Sequence, residues 1–106
     1  MARKDSLKAG ELTDTSFFIL LSLTESKHGY LIMQDVEKMT EGAVSIGPAS
    51  LYTTIKKLVA AELIEPVPSI EGNKKTYLIT ESGKKLLNED IIRREQIIRT
   101  AERVFE

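Results

Sequence analysis

The stretch Gly47-Pro48-Ala49-Ser50-Leu51-Tyr52-Thr53-Thr54-Ile55-Lys56-Lys57-Leu58-Val59-Ala60-Ala61 decides how the chain is read. Proline stands where a helix tolerates it, at the first position, because its missing N–H would have had no partner there. Leu51, Ile55, Leu58 and Val59 fall at i, i+4, i+7 and i+8, one face of a 3.6-residue period. Turning about 100° per residue from Leu51, the far face collects Ala49, Ser50, Thr53, Lys56, Lys57 and Ala60. It holds small residues, hydroxyls and two lysines, and no acid. A helix anchored on one side and small, polar and basic on the other fits a DNA major groove. The same face also suits plain solvent exposure, so the flanking sequence has to decide.

Upstream, Thr13-Asp14-Thr15-Ser16 offers N-cap residues before the apolar block Phe17 to Leu23, which predicts a helix over about 13–25. Apolar side chains point almost all round it, so it must be covered on more than one side. A domain this small hardly does that alone, which suggests a second subunit. Ser26-Lys27-His28-Gly29 breaks the pattern. Tyr30, Ile32, Met33, Val36 and Met39 then recur helically, and Thr40-Glu41-Gly42 closes that helix with a glycine. Helix, short link and helix with an apolar inner face form a helix-turn-helix.

Downstream, Glu62-Leu63-Ile64-Glu65-Pro66-Val67-Pro68 carries two prolines that exclude a central strand and allow an edge strand. Lys75-Thr76-Tyr77-Leu78-Ile79 is strand-like, so the two segments predict a β-hairpin whose tip carries Gly72, Asn73, Lys74 and Lys75. Thr80 then caps a last helix with Glu81 in its first turn. Along it Leu87, Ile91, Ile98, Ala101 and Phe105 are spaced 4, 7, 3 and 4, a heptad-like seam with Arg94 at the skipped position.

Composition bounds what such a chain does. At 106 residues it is one domain, near the size where a partner helps the core. A net charge of −1 argues against a general polyanion binder and requires any nucleic-acid site to be a local patch. The absence of cysteine excludes disulfides, thiolate zinc sites and cysteine nucleophiles. The longest apolar run is far short of the roughly 18 residues of a membrane span, and the N-terminus lacks a leader's apolar region. A cytoplasmic protein with no membrane partner and no cofactor is the plain expectation. No nucleophile–base pair, metal-ligand spacing or phosphate-cradling loop points to an enzyme.

With these strings in place the chain resembles a known family. His28-Gly29-Tyr30-Leu31-Ile32 is similar to the HGYxI signature of the PadR family of bacterial transcriptional regulators, and Pro48 to Leu58 to its PGTLYxxLxxL helix. Leu63-Ile64-Glu65 resembles its GLIE turn, and Lys74 to Gly83 its RKxYxLTxxG wing and following helix. The resemblance spans about residues 12 to 88, in order. It implies a mainly α fold with a small β-hairpin, a winged helix-turn-helix with a C-terminal dimerisation helix. It also implies a homodimeric repressor on double-stranded operator DNA, released by a small molecule or other signal. Because the chain ends soon after one such helix, it resembles the short subfamily. Three departures stand out. Ala49 and Ser50 replace Gly and Thr, Lys74 and Lys75 replace arginine, and Glu62 replaces a helix-ending glycine. If position 62 is left-handed, glutamate costs about 1 kcal/mol there.

The expected organisation is an arm over 1–11, a winged helix-turn-helix over 12–80 and a dimerisation helix over 81–106. The recognition helix is placed at about 48–61 and the wing at about 69–76. Candidate DNA contacts are Ser50, Tyr52, Thr53, Lys56, Lys57, Asn73, Lys74 and Lys75. Tyr52 lies at the edge of the buried face and suits packing or phosphate contact equally, while Lys74 and Lys75 also suit protection of a strand edge. Candidate dimer contacts are Phe17, Leu21, Leu87, Ile91, Ile98, Ala101 and Phe105. His28 is given a structural place at the corner before the second helix, and Tyr30 a mostly core place with its hydroxyl near phosphate. The competing function is a winged-helix protein–protein adaptor without DNA function. Convergence of Lys56, Lys57, Lys74 and Lys75 on one face separates the two.

Overall fold

The computed structural model describes residues 11–69, 72 and 74–106. Helix α1 (Asp14–Ser22) starts at Thr13, whose Oγ1 accepts a hydrogen bond from the Ser16 amide at 3.1 Å. It stops at Ser22, short of the expected 25, with Leu23 as its cap. Two interactions turn the chain there. The Lys27 ammonium donates to the carbonyls of Ser22 and, at 3.3 Å, Glu25, and the Ser22 hydroxyl donates to Asp35 at 2.8 Å. The break read over 26–29 is a two-residue strand, β1 (Lys27–His28), followed directly by α2 (Gly29–Met39).

Helix α3 (Pro48–Ala60) takes proline at its start as expected. The hairpin is β2 (Ile64–Val67) and β3 (Thr76–Ile79), in antiparallel register from Ile64 opposite Ile79 to Val67 opposite Thr76. β1 adds to the free side of β3, pairing Lys27 with Tyr77 and His28 with Thr76, so the order is β1-β3-β2. β2 is an edge strand, as the missing N–H of Pro66 demands.

The core is built from one stripe of each element. Ile19, Leu20 and Leu23 meet Ile32 and Val36 of α2, Leu51, Ile55 and Leu58 of α3, and Ile64 and Ile79 of the sheet. Each such side chain contributes about 1.5–3 kcal/mol of gross burial. Phe17, Phe18 and Leu21, on the remaining sides of α1, are only partly covered.

Helices α2 and α3 end alike, each with a glutamate in the left-handed region. Glu41 has φ 53 and Glu62 has φ 62. After α2 the Gly42 amide donates to Glu37 at 2.8 Å and the Glu41 amide to Lys38 at 3.1 Å. After α3 the Leu63 amide donates to Leu58 at 2.9 Å and the Glu62 amide to Val59 at 2.9 Å. Both are Schellman motifs, which satisfy orphan carbonyls through a left-handed residue. The suspicion attached to Glu62 therefore holds. At the end of α2 the left-handed position falls on Glu41, with Gly42 one residue further on at φ 83.

Helix α4 (Glu81–Phe105) is tied to the end of α3. The Thr80 hydroxyl donates to the Glu62 carbonyl at 2.7 Å and accepts from the Gly83 amide at 3.0 Å, while the Thr80 amide donates to the Leu63 carbonyl at 3.0 Å. Gly83 is required by this approach. A Cβ there would collide with the Leu63 carbonyl oxygen and lie 2.7 Å from Ile79 Cγ1.

At two positions of α4 the structure adds what the spacing alone did not carry. Leu87, placed in the dimer seam, is 6% exposed and belongs to the chain's own core with Leu86. Arg94, read as a gap in that seam, is held within the chain. Its guanidinium donates to Asp90 at 2.6 Å, Asp14 at 2.9 Å and the Leu12 carbonyl at 2.9 Å, and stacks 4.4 Å from the Phe17 ring centre. Asp90 is fully buried and also accepts from Arg93 at 3.0 Å and the Leu12 amide at 3.2 Å. Burial pushes its carboxyl up, but the hydrogen bonds from Arg94, Arg93 and Leu12 outweigh this and hold it below the ordinary value. Asp90 in turn raises the Arg94 guanidinium above its usual value, against the effect of burial. The clamp fixes the chain before α1 onto the middle of α4. Beyond it the helix runs on with Ile97, Ile98 and Val104 exposed and Phe105 94% exposed.

Candidate nucleic-acid interface

Leu51, Ile55 and Leu58 bury one face of α3, and the 3.6-residue period then sends Ser50, Thr53, Lys56 and Lys57 outward, where they lie wholly or partly exposed. Tyr52 packs at the edge of the buried face and keeps half of its surface open. Its ring lies over Gly29, where a Cβ would come within 2.6 Å of the Tyr52 hydroxyl oxygen, and it remains 50% exposed. A side chain at position 29 would push the ring away, so glycine allows α2 and α3 to meet through Tyr52.

On the wing, Lys74 and Lys75 are exposed just before β3. Gly72, at φ 74, takes a left-handed turn conformation that suits glycine. Asn73 lies outside the described residues. Between α3, the wing and the start of α2 is a concavity of about 640 Å³. Lys56 enters it from α3, and Lys74 and Lys75 from the wing, with Tyr30 and Tyr52 beside them. No carboxylate is among the described residues lining it. Three of the four lysines in question thus converge. Lys57, Ser50 and Thr53 lie on the outer side of α3 without lining the concavity.

Tyr30 departs from the sequence reading, whereas His28 lies at the expected corner before α2. Tyr30 is 59% exposed and rims the concavity rather than packing in the core, its hydroxyl accepting from Gln34 at 3.3 Å. His28 also faces the concavity, as the N-cap of α2, and its side chain makes no cap bond. It arrives there because β1 pairs with β3, a long-range contact with no local signal in two residues. Its place immediately before an uncapped helix was the one available hint.

A second concavity, of about 380 Å³, follows α4. Phe17, Ile91 and Ile98 line it, together with Arg94 and Glu102. Of the other expected dimer contacts, Leu21 is half-buried and Ala101 and Phe105 are exposed. Among the described residues no cluster of three or more histidine and acidic side chains suits a metal ion, and no helix is long and apolar enough to cross a membrane.

Comparison with known proteins agrees with this geometry. The family model for PadR-like transcriptional regulators matches residues 19–89. The chain is 34% identical over 92 residues to a Lysinibacillus sphaericus protein described as "Uncharacterized protein X", covering 84% of this chain and 82% of that one. It is 32% identical over 80 residues to transcriptional regulator YqjI of Escherichia coli K12, covering 76% of this chain and 37% of YqjI. Bacillus subtilis PadR, solved in complex with operator DNA, superposes with a TM-score of 0.66 at 28% identity, over 74% of this chain and 47% of that one. The chain therefore spans less than half the length of YqjI and of the solved PadR chain. With the match running from α1 through helix-turn-helix and wing into α4, the chain belongs to the PadR-like family of transcriptional regulators.

Proposed function

We propose that this chain is a homodimeric, sequence-specific DNA-binding regulator, a repressor released from its operator by a small molecule or another signal. Each α3 enters a major groove with Ser50, Thr53, Lys56 and Lys57, and each wing holds backbone or minor groove with Lys74 and Lys75. The observation that carries this reading is the convergence of Lys56, Lys74 and Lys75 on one concavity beside an acid-free outer helix face. On a chain of net charge −1, a local basic surface of this kind is what phosphate attraction requires.

Dimerisation is supported by the unpaired second half of α4. Ile97, Ile98, Val104 and Phe105 are exposed there, and Ile98 lines one groove with the partly covered Phe17 and Ile91. A single-chain monomer rarely leaves so many apolar side chains together in water. Two-fold symmetry then calls for a pseudopalindromic operator with half-sites roughly 34 Å apart or a multiple of that. The protein–protein adaptor draws on the low net charge and explains the convergence of lysines less well. A mobility-shift titration on the chain's own upstream region against random duplex, at physiological salt, tests the reading, together with a mass measurement in solution. Preferential binding by a dimer is expected. Equal affinity for both duplexes, or a monomer, overturns it.

A further inference from the structure

The DNA-binding reading leaves the sole histidine of the chain unused. We propose that the concavity between α2, α3 and the wing is a phosphate site whose filling is linked to a proton on His28, so that the protein grips duplex DNA more tightly as the pH falls. This rests on the DNA-binding reading and adds to it a site, a charge change and a direction.

Geometry supplies the argument. His28 shares the concavity with Lys56 from α3 and Lys74 and Lys75 from the wing. Among the described residues, the other titratable groups lining the concavity are the hydroxyls of Tyr30 on α2, Tyr52 on α3 and Tyr77 on β3, while Thr76 is the partner of His28 across the sheet. Its neighbour Lys27 lies 3.5 Å from Asp35, so that carboxylate is already engaged. No described carboxylate lines the concavity, so a DNA phosphate would bring a negative group to face the imidazole there. Opposite charge within a few ångströms favours the protonated ring. Histidine is also the side chain whose charge changes in the ordinary range between about pH 5 and 8. The step is simple: solvent gives one proton to an imidazole nitrogen as the phosphate enters, and no other bond changes.

Because there is one histidine, its imidazole resonances need no assignment by mutation. The test is a proton NMR titration of the unmodified chain between about pH 5 and 8. It is run free and saturated at low salt with a mixed-sequence duplex lacking terminal phosphates. The expected result is a titration midpoint higher by about one pH unit in the complex, equivalent to about tenfold tighter binding by the protonated form. Correspondingly, the dissociation constant should fall several-fold on acidification for the unmodified chain, with no such fall for His28→Gln. A midpoint that stays in place in the saturated complex, or a His28→Gln variant with the same pH dependence, overturns the proposal and leaves DNA binding standing. Failure of any duplex to bind overturns both. If His28→Gln does not fold, the titration of the unmodified chain still decides.

Discussion

The Nε of Arg94 lies 2.6 Å from a carboxylate oxygen of Asp90, one turn back along α4, and Asp90 is wholly inaccessible to water. The pair does more than hold one helix. Through Arg94 it reaches Asp14 and the Leu12 carbonyl, and through Asp90 the Leu12 amide, so it binds the chain before α1 to α4.

Removing Asp90 takes away the buried counter-charge of Arg94 and leaves it the exposed carboxylate of Asp14. Asp90→Ala should therefore destabilise the fold by about 3 kcal/mol, the lower end of the range because Arg94 keeps some contact with water. Urea denaturation at fixed protein concentration measures it. A loss below about 1 kcal/mol, the value of an exposed pair, would show that the clamp is loose in solution.

Acid should reveal the same clamp. The Asp90 carboxyl is held below its ordinary value, so between the folded and unfolded values the unfolded chain binds more protons. The clamp's stabilisation is then complete above the ordinary carboxylate value, about 3.9, and is lost as pH falls through the lower folded value. Asp90→Asn should lack this component, making its stability less steep in acid than that of the parent chain. Denaturation midpoints compared at several acidic pH values check the sign.

Glu41 and Glu62 hold left-handed conformations that cost a residue bearing a Cβ about 1–2 kcal/mol. Glycine removes that strain and gives back part of the gain through its freer unfolded chain. Glu62→Gly and Glu41→Gly should each stabilise by about 0.5–1 kcal/mol, raising the thermal midpoint. A fall in either midpoint would mean that the glutamate side chain contributes more than its backbone costs.

Two glycines should respond differently to alanine. At Gly83 the added methyl meets a backbone carbonyl that cannot swing aside, and a destabilisation of about 2 kcal/mol is expected despite better helix propensity. At Gly29 the obstacle is the far end of Tyr52, which can rotate. Gly29→Ala should leave stability nearly unchanged while altering DNA affinity. Thermal melts of both variants separate the cases.

For the lysines the informative quantity is the salt slope. Replacing Lys56, Lys74 or Lys75 singly by alanine should make the slope of log affinity against log salt shallower by about 0.9 for each phosphate that the lysine neutralises. Affinity should fall to a similar extent on specific and random duplex, as phosphate contacts carry no sequence information. An unchanged slope for all three would remove the concavity from the interface.

Much of this architecture was legible because it is local and periodic. The 3.6-residue recurrence from Leu51 to Val59 marked α3, the threonine at position 80 marked the start of α4, and the prolines kept β2 at an edge. Contacts that close over long sequence distances were hidden. β1 exists only because β3 receives it, and without β1 the place of His28 in the concavity could not be foreseen. Periodicity also says that a stripe is covered without saying by what. Leu87 and Arg94 lie on or beside the seam that reads as a partner's, yet both are engaged by their own chain.

The bond from the Thr80 amide to the Leu63 carbonyl closes the base of the whole wing, with Gly83 seated against the same carbonyl. The wing is thus a tethered ring whose two ends are fastened where α3 finishes and α4 begins. Residues added at its tip lengthen the ring without moving its fastening, at an entropic cost of only about 0.6 kcal/mol for each doubling. The reach of the wing can therefore be lengthened at its tip, whereas a change of length between position 80 and Gly83 would unfasten both helices at once.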